Sequence, residues 1–169
     1  MDRRDRKRGG QSGGPNRGSP MRFIFGIFPL LAIPVIIYNL MAFTFSGANG
    51  LTMAQQISDP AHAIATIPMV SEGAVWALTS GDLLIVLSLG FFFIEILKST
   101  STGSATIANH AVSMVAFIVC LIEFLLLKNF ATSVFFILTI MTLLDVLAGV
   151  VVTIISARRD FTVGEGIGN

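Results

Sequence analysis

Three features of this 169-residue chain predict an all-α integral membrane protein: 53% of its residues are hydrophobic and only 12% charged, four apolar runs approach the length of a bilayer crossing, and basic residues crowd one end. A soluble domain carries about a quarter charged residues, and one of this size has too little interior to hide so much apolar surface. The fold class implied is a four-helix transmembrane bundle with a disordered basic N-terminal tail and short interfacial helices in the first external loop.

The elements are taken in chain order. Residues 1–21 mix basic residues with Gly, Ser, Pro and Asn and show no apolar periodicity, the composition of a solvated tail. A first span is expected over about 23–45. It exceeds the roughly 7 to 15 residues of a signal-peptide core, so it is read as retained, although Ser46, Gly47 and Ala48 behind it would suit a cleavage site. Within it Pro29 and Pro34 remove backbone donors and kink the helix, Tyr38 reads as an interfacial belt aromatic, and Asn39 falls level with Glu123. Crossing about 30 Å of hydrocarbon at about 1.5 Å per residue needs about 20 apolar residues. Three further runs, 82–98, 106–127 and 131–157, meet or approach that length, and 158–169 forms a short tail.

Charge placement sets the orientation. Arg3, Arg4, Arg6, Lys7, Arg8, Arg17 and Arg22, then Lys98, Arg158 and Arg159, all fall on one side of such a bundle, and only Lys128 falls opposite. The positive-inside rule then puts both termini in the cytoplasm, in a cell membrane taken to be a bacterial inner membrane from the small size and short loops. The 46–80 loop has no Lys or Arg, yet it carries Leu51, Met53, Ile57, Ile64, Ile67, Met69, Val70, Val75, Trp76 and Leu78. Asp59 before Pro60 reads as a helix cap, Pro68 limits that helix to about two turns, and Ser71 opens a second short helix carrying Trp76 at headgroup depth.

Candidate functional residues are the polar groups inside the spans, where an ionisable side chain costs at least about 2.5 kcal/mol and by default faces the bundle or a wet cavity. Asp145 sits near the middle of the fourth span. Thr139, Thr142, Gly149, Thr153 and Ser156 recur around it at spacings of three and four, forming one polar stripe that other helices must cover. In the third span Asn109, Ser113, Ala116, Cys120 and Glu123 make a second stripe. Glu95 lies three residues before Lys98, at pairing distance along a helix, and it falls at a depth where it can also meet His110. Asp145, Glu95, Glu123, His110, Asn109 and Thr142 therefore form the candidate set, for helix packing or for a proton or ion.

Enzymatic function is not expected. There is no phosphate loop, no nucleophile with a base at recognisable spacing and no metal-ligand cluster; Cys120 stands alone and His62, in the loop, cannot join His110 at a haem. No cofactor or metal is expected. The sequence favours a non-catalytic accessory, assembly or scaffold subunit acting through membrane lipids and a protein partner or second copies of itself. The alternative is a small oligomeric transporter or proton or ion conductor built on the intramembrane carboxylates. Nucleic acid is not an expected partner, because the basic tail is short and lacks interleaved aromatics.

Overall fold

The structure, a computed structural model, describes residues 26–44, 50–99 and 104–165, with side chains described in 26–44, 50–98 and 107–155. The tail of residues 1–21 lies outside the described residues. Helix α1 spans Ala32–Thr44, α2 Met53–Ser58, α3 Ser80–Ser99, α4 Ser104–Leu126 and α5 Ser133–Glu165; strands β1 and β2 are Ala65–Pro68 and Val75–Leu78. Among the described residues three helices, over 80–98, 107–126 and 133–155, are long and apolar enough to cross a membrane.

The first apolar run differs from the continuous span expected of it. Gly26 and Ile27 are helical, the chain bends at Phe28, and a regular helix resumes only at Ala32. Pro29 supplies the reason: it has no N–H, and its ring drives the preceding residue out of the helical region. Ala32 and Ile33 restart the helix by donating to the Pro29 and Leu30 carbonyls, each at 3.0 Å. Pro34 falls in the first turn, where its missing donor has no helical partner to lose. The 13 residues of α1 measure about 20 Å, short of a full crossing.

Local chemistry fixes where the long helices start. Thr79 Oγ1 accepts from the Asp82 N–H at 3.2 Å while Asp82 Oδ2 accepts from the Thr79 N–H at 2.9 Å, a reciprocal cap in front of α3. Thr132 Oγ1 accepts from the Phe135 N–H at 3.2 Å and caps α5. Helix α5 is the hub, with its most extensive contacts to α4 and α3. Half of its apolar stretch is buried within the chain, against 22% for α3 and 17% for α4.

These helices pack with polar residues inward. On α4, Asn109, Ser113 and Cys120 are buried while Ile107, Met114, Val115, Ile118, Ile122 and Leu125 are exposed; on α3, Ser88 and Glu95 are buried and Val86, Leu87, Phe93 and Leu97 are exposed. Lipid tails leave helices no hydrophobic reason to associate, so small and hydrogen-bonding residues make the seam and large apolar ones face outward.

The segment between α1 and α3 carries neither of the two short helices expected there, and holds instead a short helix, α2, ahead of Asp59. In α2 a capping box joins Thr52 and Gln55, and Met53 and Ile57 are buried. Asp59 does act as a cap, accepting from the Ala61 N–H at 2.9 Å, but the capped element is a single 3-10 turn over Pro60–His62. Beyond it the second expected helix is replaced by an antiparallel hairpin, with Ile67 opposite Trp76 and Ala65 opposite Leu78. Thr66, Ile67, Val75 and Trp76 favour a pleated strand, and Gly73, at φ 75°, makes the reversal that a helix opened at Ser71 would not allow.

Candidate functional site

The break at Pro29 leaves two backbone groups without helical partners, and a cluster of side chains takes both. Glu95 Oε2 accepts from the Leu30 N–H at 2.7 Å, and Lys98 Nζ donates to the Phe28 carbonyl at 2.7 Å. Asn109 links the two charged groups across from α4: its Nδ2 donates to Glu95 Oε1 at 2.6 Å and its Oδ1 accepts from Lys98 Nζ at 2.9 Å. Lys98 and Glu95 also pair directly at 3.3 Å. Glu95 is fully buried, and this network is what makes a buried carboxylate tolerable: an ammonium, an amide and a backbone donor all address it. Segment one, α3 and α4 are thereby tied at a single point about 6 Å from the end of α3.

One layer deeper lie Asp145, Ser113 and His110. Asp145 is about 18 Å along α5 from Ser133, and Ser113 is about 20 Å back along α4 from Leu126, so the two meet at one depth. The Ser113 hydroxyl stands beside the Asp145 carboxyl, with His110, Glu95 and Lys98 as the charged or titratable groups around it. Asp145 Oδ1, Ser113 Oγ and both ring nitrogens of His110 are nevertheless buried without a hydrogen-bond partner. The imidazole lies against Gly149, where a Cβ would collide with the ring. The expected meeting of Glu95 and His110 is thus not a hydrogen bond: Asn109, one residue earlier, occupies the carboxylate, and His110 turns to α5.

Thr142 does not join this cluster. Its hydroxyl donates to the Thr139 carbonyl at 2.7 Å, and Thr139 in turn donates to that of Phe135 at 2.9 Å. Nor is the α5 stripe covered along its whole length. Thr139, Thr142, Asp145 and Gly149 are buried, but Thr153 is exposed and satisfies itself on the Gly149 carbonyl at 2.9 Å. Side chains beyond residue 155, Ser156 among them, lie outside the described set.

Glu123 stands at the opposite end, apart from the other candidates. It accepts from Asn39 Nδ2 at 3.2 Å, so the expected match in depth becomes a contact. Beside it Tyr38 corrects its reading as a belt aromatic, for it is fully buried. Its hydroxyl bonds Thr132 Oγ1 at 2.6 Å and the Asn129 carbonyl at 3.0 Å, while its ring packs on Phe135 at 4.7 Å and Phe130 at 5.5 Å. Depth in a sequence says nothing about which way a helix face turns, and α1 turns this face onto the hub.

Sequence reasoning found the stripes and the Glu95–Lys98 pair but missed the Phe28 carbonyl and Leu30 N–H as their clients. The one available signal was Pro29, whose ring guarantees freed backbone groups nearby. Among the described residues no group of three or more His, Cys, Asp or Glu is placed to hold a metal ion. No protein-family model, curated protein or solved structure matches the chain.

Proposed function

We propose that this chain is a non-catalytic, multi-pass membrane subunit that acts through protein partners in the bilayer, with both termini on the cytoplasmic face. The observation that carries this reading is the use of its intramembrane carboxylates. Glu95 ties the broken first segment to α3 and α4, and Glu123 holds Asn39 on α1; a relay group engaged in holding helices together is poorly placed to carry cargo. The outward faces of α3 and α4 add support. They leave broad apolar surface for a neighbour, including a notch where Gly90 lies between Val86, Leu89, Phe93 and Ile96.

Purification in native nanodiscs followed by mass spectrometry tests the proposal: a stoichiometric membrane subunit is expected to accompany the chain, and a chain that purifies alone and moves protons across vesicles overturns it. Orientation is tested separately. In a Cys120→Ser background, Gln55→Cys should label from outside and Thr102→Cys from inside; labelling of both from one side sinks the assignment. Deleting residues 2–18 should weaken binding to anionic membranes or a partner while leaving the bundle's thermal stability unchanged, since the positive-inside tail also attracts anionic headgroups at about 1 kcal/mol per basic residue.

One observation favours a second reading, a proton or ion site. The unpartnered polar atoms of Asp145, Ser113 and His110 are buried together, where each unsatisfied group costs about 1–3 kcal/mol. Asp145→Asn and Asp145→Leu separate the two roles. If Asp145 packs as a neutral group, Asn is tolerated and Leu harms assembly; a folded, correctly assembled Asn variant without cellular function would establish the second reading.

A further inference from the structure

We infer that the hairpin of β1 and β2 lies on the bilayer surface, with the face bearing Ile67 and Trp76 seated at the boundary between headgroups and acyl chains. The register decides which residues share that face. Ile67 opposes Trp76 and Ala65 opposes Leu78, and side chains alternate along a strand, so Ala65, Ile67, Trp76 and Leu78 point one way with Met69 continuing the row. Thr66, Pro68, Val75 and Ala77 point the other way. Both rows are uncovered by the rest of the chain, with Ile67 39% exposed, Trp76 45% and Met69 51% on one face and Val75 62% on the other, and what distinguishes the first is its indole. A two-stranded hairpin alone in water is marginally stable, so a surface of this kind needs a cover.

Three observations identify the cover as lipid. First, β2 ends at Leu78 and the capped start of α3 comes directly after Thr79, so the hairpin is held at the mouth of a membrane-length helix. Its base is fixed there, because α2 lies so close to α3 that a Cβ at Gly81 would stand 2.5 Å from the Ile57 carbonyl oxygen. Second, the row Ala65, Ile67, Met69, Trp76 and Leu78 holds no charged residue, and no Lys or Arg, which would be costly to carry across a membrane, occurs from residue 51 to 97; contact through the row is apolar. Third, an indole prefers the interface, where its ring is apolar-facing and its N–H stays wet, and strand edges left unpaired in the hairpin are hydrated at the same depth.

The chain contains a single tryptophan, so the fluorescence of the full-length protein reports Trp76 alone. In vesicles of phosphatidylcholine brominated near the top of the acyl chain, we expect at least twofold quenching of Trp76, with little quenching by aqueous iodide. The double variant Trp76→Phe, Val75→Trp moves the fluorophore to the opposite face, and should reverse the pattern. Strong iodide quenching of Trp76 without lipid quenching would place the hairpin in water and overturn the inference. Quenching by neither agent would mean a protein cover, and equal quenching of the two positions would mean no preferred face; both also overturn it. The inference rests on the membrane reading above, which flotation of the same samples with vesicles tests on its own: a chain that floats with Trp76 in water loses the hairpin assignment only.

Discussion

The two ends of the bundle fasten the same first segment by opposite means. At the Lys98 end the clasp is ionic and aims at backbone: Glu95, Lys98 and Asn109 close on the groups that Pro29 sets free. At the Lys128 end it is mainly aromatic, with Tyr38 packed against Phe130 and Phe135, its hydroxyl shared between Thr132 and Asn129, and one bond from Asn39 to Glu123 beside it. The difference arises from helix continuity. Regular helix satisfies its own backbone and needs only shape from its neighbours, whereas a break inside an apolar layer demands strong donors and acceptors.

Removing the clasp should therefore hurt far more at the first end. Glu95→Leu leaves Lys98 without its carboxylate and the Leu30 N–H bare, and should lower stability by about 3 kcal/mol or more in SDS-driven unfolding from mixed micelles. A loss no larger than that of a surface substitution would refute the ionic clasp. Gly149→Ala forces a Cβ into the His110 ring, with an expected cost of about 2 kcal/mol, and the double variant with His110→Ala should recover most of it. Failure of that rescue would show that Gly149 matters for some reason other than the imidazole. At the aromatic end Tyr38→Phe keeps the ring contacts and loses only the hydroxyl, so about 1 kcal/mol is expected from the same titration. Asn39→Leu should be smallest, about 0.5 kcal/mol, because one interhelical hydrogen bond in a bilayer contributes little. An Asn39 effect exceeding that of Glu95 would invert the comparison.

What the sequence revealed depended on the range over which each signal acts. The three long helices were legible from apolar length, and the inward face of α4 from spacing, since Asn109, Ser113 and Cys120 fall within one side of a 3.6-residue period. The partners of Glu95 were not, because Leu30 lies 65 residues away and no periodicity connects a carboxylate to a distant N–H. The hairpin was misread for a local reason: Ser71 resembles a cap, and that likeness hid the β-branched residues around it and the glycine two positions on. The burial of Tyr38 was illegible because the aromatic residues that enclose it, Phe130 and Phe135, sit beyond two intervening spans.

The break at Pro29 also bears on how the protein is made. Synthesis delivers the first segment before α3 and α4 exist, so the Phe28 carbonyl and Leu30 N–H emerge when Glu95 and Lys98 are still untranslated. With 13 residues, α1 by itself is shorter than the roughly 20 that a full crossing needs. The partners that close the break, Glu95, Lys98 and Asn109, all follow it in the sequence, so its contacts form only after α3 and the start of α4 have been made. A chain arrested between residues 50 and 90 would hold the Phe28 carbonyl and the Leu30 N–H without the Lys98 and Glu95 groups that take them in the finished protein.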